Sequence, residues 1–122
     1  MNPRTRPPSR QPQHAPPAVV AESELLRRRM LRALERRERY RYVRPEVQAS
    51  GEGWVVSSPC CSRNIDPEGG VIDIALLQRT AGGWILSRRD HAGARWVRHS
   101  KGARLDTLLD VLCEDPQRVF WP

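Results

Sequence analysis

A chain of 122 residues, 39% hydrophobic and 29% charged, is long enough for one modest core and too short for two. No apolar run reaches the length a membrane-spanning helix needs, and three cysteines, an odd number, do not make a disulfide framework. The net charge of +7 is confined to one end: residues 1–46 hold 12 arginines against 5 glutamates, while residues 47–122 balance at nine cations and nine acids.

Residues 1–20 contain six of the 11 prolines, three arginines and few apolar side chains. Such a segment cannot bury enough surface to offset its ordering entropy, which predicts a disordered, locally polyproline-like basic tail. Residues 21–122 then form a single domain. The start shows no charged-then-apolar leader with a small-residue cleavage site, so the expected setting is a reducing cytoplasm.

Residues 22–39 predict a helix. Ser23 suits an N-cap, with Glu22 and Glu24 at the positive end of the dipole. Leu26, Met30, Ala33 and Leu34 recur at helical spacing and mark the buried stripe. Seven arginines, among them Arg28, Arg32 and Arg36, occupy much of the remaining surface. An arginine-rich helix face suits phosphate binding; the plainer reading is a solvated face whose long stems cover apolar surface.

After Tyr40 the period shifts from 3.6 to 2. Pro45 restricts the first strand to an edge or an entry. Trp54–Ser58 reads as a strand ended by Pro59, and Asp66-Pro67-Glu68-Gly69 as a type I turn. Val71–Gln78 is the strongest strand signal, turned back at Ala81-Gly82-Gly83 into Trp84–Arg89. A loop at His91-Ala92-Gly93 then leads to Arg95–His99. Leu105, Leu108, Leu109 and Leu112 predict a short amphipathic helix ended by Asp115-Pro116, and the apolar tail Val119-Phe120-Trp121-Pro122 is expected to dock. The predicted class is α+β: an N-terminal helix, an antiparallel meander of four or five strands, and a short C-terminal helix.

Pairing Leu77 with Leu86 puts Val71, Ala75, Leu77, Trp84 and Leu86 on one face, and Ile72, Ile74, Leu76 and Ile85 on the other. Two apolar faces imply helices on opposite sides or a second copy of the chain. The same pairing sets Asp73 diagonal to Arg88, a cross-strand ion pair.

The pattern Trp84-x-Leu86-x-x-Arg89-Asp90, then Arg95-Trp96, a leucine-rich helix, Asp115-Pro116 and a closing Phe120-Trp121 resembles a family of small bacterial proteins catalogued as a domain of unknown function. The resemblance spans roughly residues 70–122. It implies a bacterial origin and assigns no catalytic or binding residue. The chain departs from that pattern in its Ser58-Pro59-Cys60-Cys61-Ser62-Arg63-Asn64 segment, its proline-rich start and its final proline in place of glycine.

Four kinds of chemistry remain. Adjacent Cys60 and Cys61 lack the spacing of paired zinc ligands, and no second pair exists, so no metal site and no cofactor are expected. Cys60 or Cys61 as a reactive thiol needs a base supplied by His91 or His99; the plainer expectation is that one of the two is core. The serines and glycines near them lack the glycines and lysine of a phosphate loop. Arg88, Arg95, Trp96 and Arg98, with Lys101, would form an aromatic and basic strand surface suited to single-stranded nucleic acid. The resulting reading is a small non-enzymatic cytoplasmic binding module whose partner is a protein or a second copy. Single-stranded nucleic-acid binding is the alternative, and a cysteine-dependent enzyme a further one.

Overall fold

The computed structural model describes residues 17–51 and 53–122. Helix α1 (Pro17–Leu34) leads to strands β1 (Glu46–Ser50), β2 (Gly53–Pro59), β3 (Val71–Thr80), β4 (Gly83–Asp90) and β5 (Arg95–Gly102), and helix α2 (Leu105–Glu114) follows. The strands form one antiparallel meander in sequence order. This is the predicted α+β arrangement, with five strands. The Asp66–Gly69 turn also forms as expected: Gly69 N–H donates to the Asp66 carbonyl, and the Asp66 carboxylate accepts from the N–H groups of Glu68 and Gly70.

The first helix differs from its prediction at both ends. It begins at Pro17 rather than Glu22, because proline suits a first turn that has no use for its missing N–H. Ser23 therefore lies inside the helix rather than at its cap. Residues 17–20 of the predicted tail open α1, and residues 1–16 lie outside the described residues. At the other end the helix stops at Leu34 rather than Arg39. Buried Arg37 folds the chain over: its guanidinium donates to the carbonyls of Leu34, Tyr40 and Val43, and Tyr40 takes a left-handed φ of 59°.

Two strand irregularities decide which side chains share a face. Leu77 does pair with Leu86. Between β2 and β3, however, Val56 faces Ala75 while Ser57 faces Asp73, so Ile74 is an extra residue. A bulge sets two residues against one and shifts the alternation beyond it. Ile74 and Ala75 are thus both in the core, Ile72 packs against it, and Asp73 and Val71 turn to the opposite side. The bulge thus moves Ile72 and Ile74 from the second apolar face to the first and leaves Leu76 and Ile85 on the other. Asp73 forms no ion pair with Arg88 among the described residues. A second bulge leaves His99 as the extra residue between Ser100, opposite Leu86, and Arg98, opposite Ser87.

Both helices cover the same face of the sheet. One core cluster joins Met30, Ala33 and Leu34 of α1 to Leu105, Leu108, Leu109 and Leu112 of α2. The same cluster holds Val47, Val56, Leu77, Trp84 and Leu86 of the strands. Leu76, on the other face, is buried but lies outside this cluster. Backbones approach closely at two strand starts. A Cβ on Gly53 would run into the Leu77 carbonyl oxygen, and one on Gly83 into that of Gly102.

The tail docks as expected, through Asp115. This residue ends α2 in the left-handed region, with φ 36°, and is only 2% exposed. Its carboxylate accepts N–H bonds from Val119 (2.8 Å), Phe120 (3.1 Å) and Trp121 (2.9 Å). The hairpin so formed buries Phe120 and Trp121, and the Trp121 indole N–H donates to the Leu112 carbonyl at 2.9 Å. The spacing of Asp115, Phe120 and Trp121 is therefore a folding device: one buried anion caps the backbone of the residues that close the core.

Candidate functional site

The arginines of α1 and of the turn that follows it are mostly engaged within the fold. Arg28 pairs with Glu24, and Arg36 reaches Asp110 of α2 at 2.9 Å. Arg29 reaches Asp106 at 2.8 Å, Arg27 donates to the Val47 carbonyl of β1, and Arg39 donates to the carbonyls of Asp115 and Pro116. Of the three helix positions singled out in the sequence, only Arg32 makes no ion pair among the described residues. The rest fasten α1 to α2, β1 and itself, so the row is no free phosphate-binding stripe. Sequence spacing alone does not reveal this, because Asp106 and Asp110 come from the far end of the chain.

The cysteines separate differently from expectation. Cys113, not one of the adjacent pair, is the core thiol; it donates to the Ala33 carbonyl, and burial pushes its pKa up. Strand β2 stops at Pro59, before the pair. Half-buried Cys60 turns its sulfur onto Ser62, accepting from its N–H and donating to its carbonyl. Cys61 is exposed, and its backbone N–H donates to the Tyr40 hydroxyl. Among the described residues neither sulfur bonds a histidine, and no three of His, Cys, Asp and Glu converge as metal ligands do.

The strand surface is divided by the sheet. Trp84 and Leu86 point into the core, so Ile85, Ser87 and Arg89 of β4 point to the open face. Their partners on β5 are Lys101, Arg98 and Trp96 in turn. Arg89 lies over the Trp96 ring at 5.0 Å. Arg88 and Arg95 sit on the helix side, where Arg95 pairs with Asp90 at 2.9 Å and holds that carboxyl below its usual range. Of the predicted four, Trp96 and Arg98 come together, Lys101 joins them, Arg88 and Arg95 leave, and Arg89 enters. Strict alternation outward from Leu86 is the signal that identifies Arg89.

The rest of the open face is moderately apolar. Val55 and Ile85 are half-buried, Leu76 is buried, and Val71 stands exposed at the start of β3. At the hairpin end, burial pushes the half-buried His91 imidazole below its ordinary range; Arg89 adds to this, and Asp73 and Asp90 oppose it. Folding therefore favours neutral His91. Its contribution is full above the ordinary imidazole value of about 6.5 and is lost as pH falls toward the lowered folded value. Urea midpoints are expected to fall as pH drops below about 6.5, and His91→Gln to flatten that part of the profile. An unchanged profile in the variant would assign the slope to other groups.

No helix among the described residues is long and apolar enough to cross a membrane. No curated protein and no solved structure matched the chain. A family model matches residues 17–122, from the first turn of α1 through the tail that Asp115 folds back, and by that match the chain belongs to the family described as a domain of unknown function, DUF3024.

Proposed function

We propose that the protein is a non-enzymatic binding module whose open sheet face takes single-stranded nucleic acid. The observation that carries this reading is the Arg89–Trp96 stack flanked by Arg98 and Lys101 on the face that neither α1 nor α2 covers. A base stacks on an aromatic ring whatever its identity, and neighbouring cations neutralise the phosphates on either side. A single strand suits a sheet face from which no helix projects into a groove. Three free cysteines accord with a reducing bacterial cytoplasm.

Self-association through the same face is the second reading. Its support is half-buried Val55 opposite Leu76, half-buried Ile85 on the next strand but one, and exposed Val71 at the other end of β3. With Ile72 and Ile74 turned into the core, that apolar surface is smaller than strict alternation implies. Sedimentation over a range of concentrations tests it, and a mass that rises with concentration and falls on Val71→Asp supports it.

Fluorescence anisotropy with labelled single-stranded and double-stranded oligonucleotides tests the first reading. The expected result is preference for the single strand and an affinity that falls steeply with salt. Trp96→Ala should weaken binding by about 1–3 kcal/mol, or about five- to 150-fold. Arg98→Ala should reduce the log–log salt slope by about 0.7. A flat titration at low salt, or undiminished affinity in Trp96→Ala, would sink the proposal.

A further inference from the structure

A second surface lies away from the open face. Leu25 is 65% exposed and Tyr42 is 102% exposed; with Val71 they are the exposed large hydrophobic residues of the described chain. Both border the outer side of α1, where two adjoining depressions of about 560 and 460 Å³ share Leu31 and Glu35 as lining. Arg32, Arg41 and Arg44 stand around them, exposed, and make no ion pair among the described residues. Their neighbours Arg29 and Arg36 are neutralised by Asp106 and Asp110 on the side facing α2. The unpaired cations of this region thus gather where its apolar side chains are bare.

We infer that this groove is a docking site for an acidic, leucine-bearing segment of a partner protein. Aliphatic Leu25 and Leu31 give apolar anchors a seat, and Tyr42 supplies the rigid aromatic wall common at interface hot spots. The three cations around the seat that make no ion pair among the described residues, Arg32, Arg41 and Arg44, select acidic flanks and reject basic ones. Nucleic acid fits less well, because Glu35 sits in the lining and one tyrosine is the only aromatic group there. The chain's own residues 1–16 carry three arginines and no acid, which is the wrong charge for this groove.

The test uses the full chain and a fluorescein-labelled synthetic peptide with leucines at helical spacing and glutamate or aspartate elsewhere. The control peptide carries lysine in place of each acid. Salt-dependent binding of the acidic peptide alone is expected. Tyr42→Ala and the double variant Arg41→Ser/Arg44→Ser should each weaken it by about tenfold or more, while Trp96→Ala leaves it unchanged. These side chains are exposed, so the variants should keep the wild-type melting curve. Equal binding of both peptides, no binding at low salt, or wild-type affinity in the groove variants overturns the inference. Displacement of the peptide by an oligo(dT) strand also overturns it, by assigning the groove to nucleic acid.

Discussion

Asp115→Ala is expected to destabilise the domain by about 4 kcal/mol, read as a lower urea midpoint at unchanged slope. The carboxylate accepts three backbone N–H groups, and those of Phe120 and Trp121 are buried. A charge-assisted bond of this kind is worth about 1.5–3 kcal/mol, and removing the acceptor leaves its donors without water. The three bonds share one group, so their values do not sum. Alanine also fits poorly at a φ of 36°. Asp115→Asn tolerates that backbone and keeps one acceptor oxygen, so it should lose about half as much. A loss below about 1 kcal/mol for Asp115→Ala would mean that apolar burial alone holds the tail.

Trp121→Ala should have a comparable effect, about 3–5 kcal/mol, as large-to-small changes in a core do. Trp121 is 1% exposed, its ring lies 5.5 Å from that of Tyr40 and 5.9 Å from the Arg37 guanidinium, and its indole bonds Leu112. Alanine removes the ring and leaves the Leu112 carbonyl without its partner. Trp121→Phe keeps most of the volume and loses the N–H, so it separates the two parts; a cost of about 1 kcal/mol is expected from the lost bond. Asp115→Ala combined with Trp121→Ala should cost well under the sum of the two, because the first releases the segment that the second empties. Additive losses in that double variant would show that carboxylate and indole act independently.

Much of the architecture is legible in the sequence because it is local. Alternation marks the strands, Asp66-Pro67-Glu68-Gly69 contains its own turn chemistry, and Leu77 opposite Leu86 follows from a short hairpin. What escapes is set by distant partners. Nothing around Ile74 or His99 announces a bulge, yet each bulge reverses every face assignment beyond it. That one effect moves Asp73 outward and Ile72 inward. The end of α1 depends on carbonyls that Arg37 reaches after the chain has turned, and two of the arginine row, Arg29 and Arg36, are neutralised by acids of α2. Trp96 and Arg98 were recognisable as surface chemistry from residue type alone. Their true neighbour, Arg89 rather than Arg88, required the register.

The lock formed by Asp115, Phe120 and Trp121 also has a meaning in time. During translation α1 emerges before every element it packs against, and its apolar stripe lacks its α2 partners until the end of the domain is made. The Tyr40 hydroxyl, which accepts from Cys61 and donates to the Pro122 carbonyl at 2.9 Å, joins early, middle and late segments at one atom. The nascent domain therefore passes most of its synthesis with the Leu26, Met30 and Leu34 stripe incompletely covered, a window in which transiently exposed apolar surface favours aggregation.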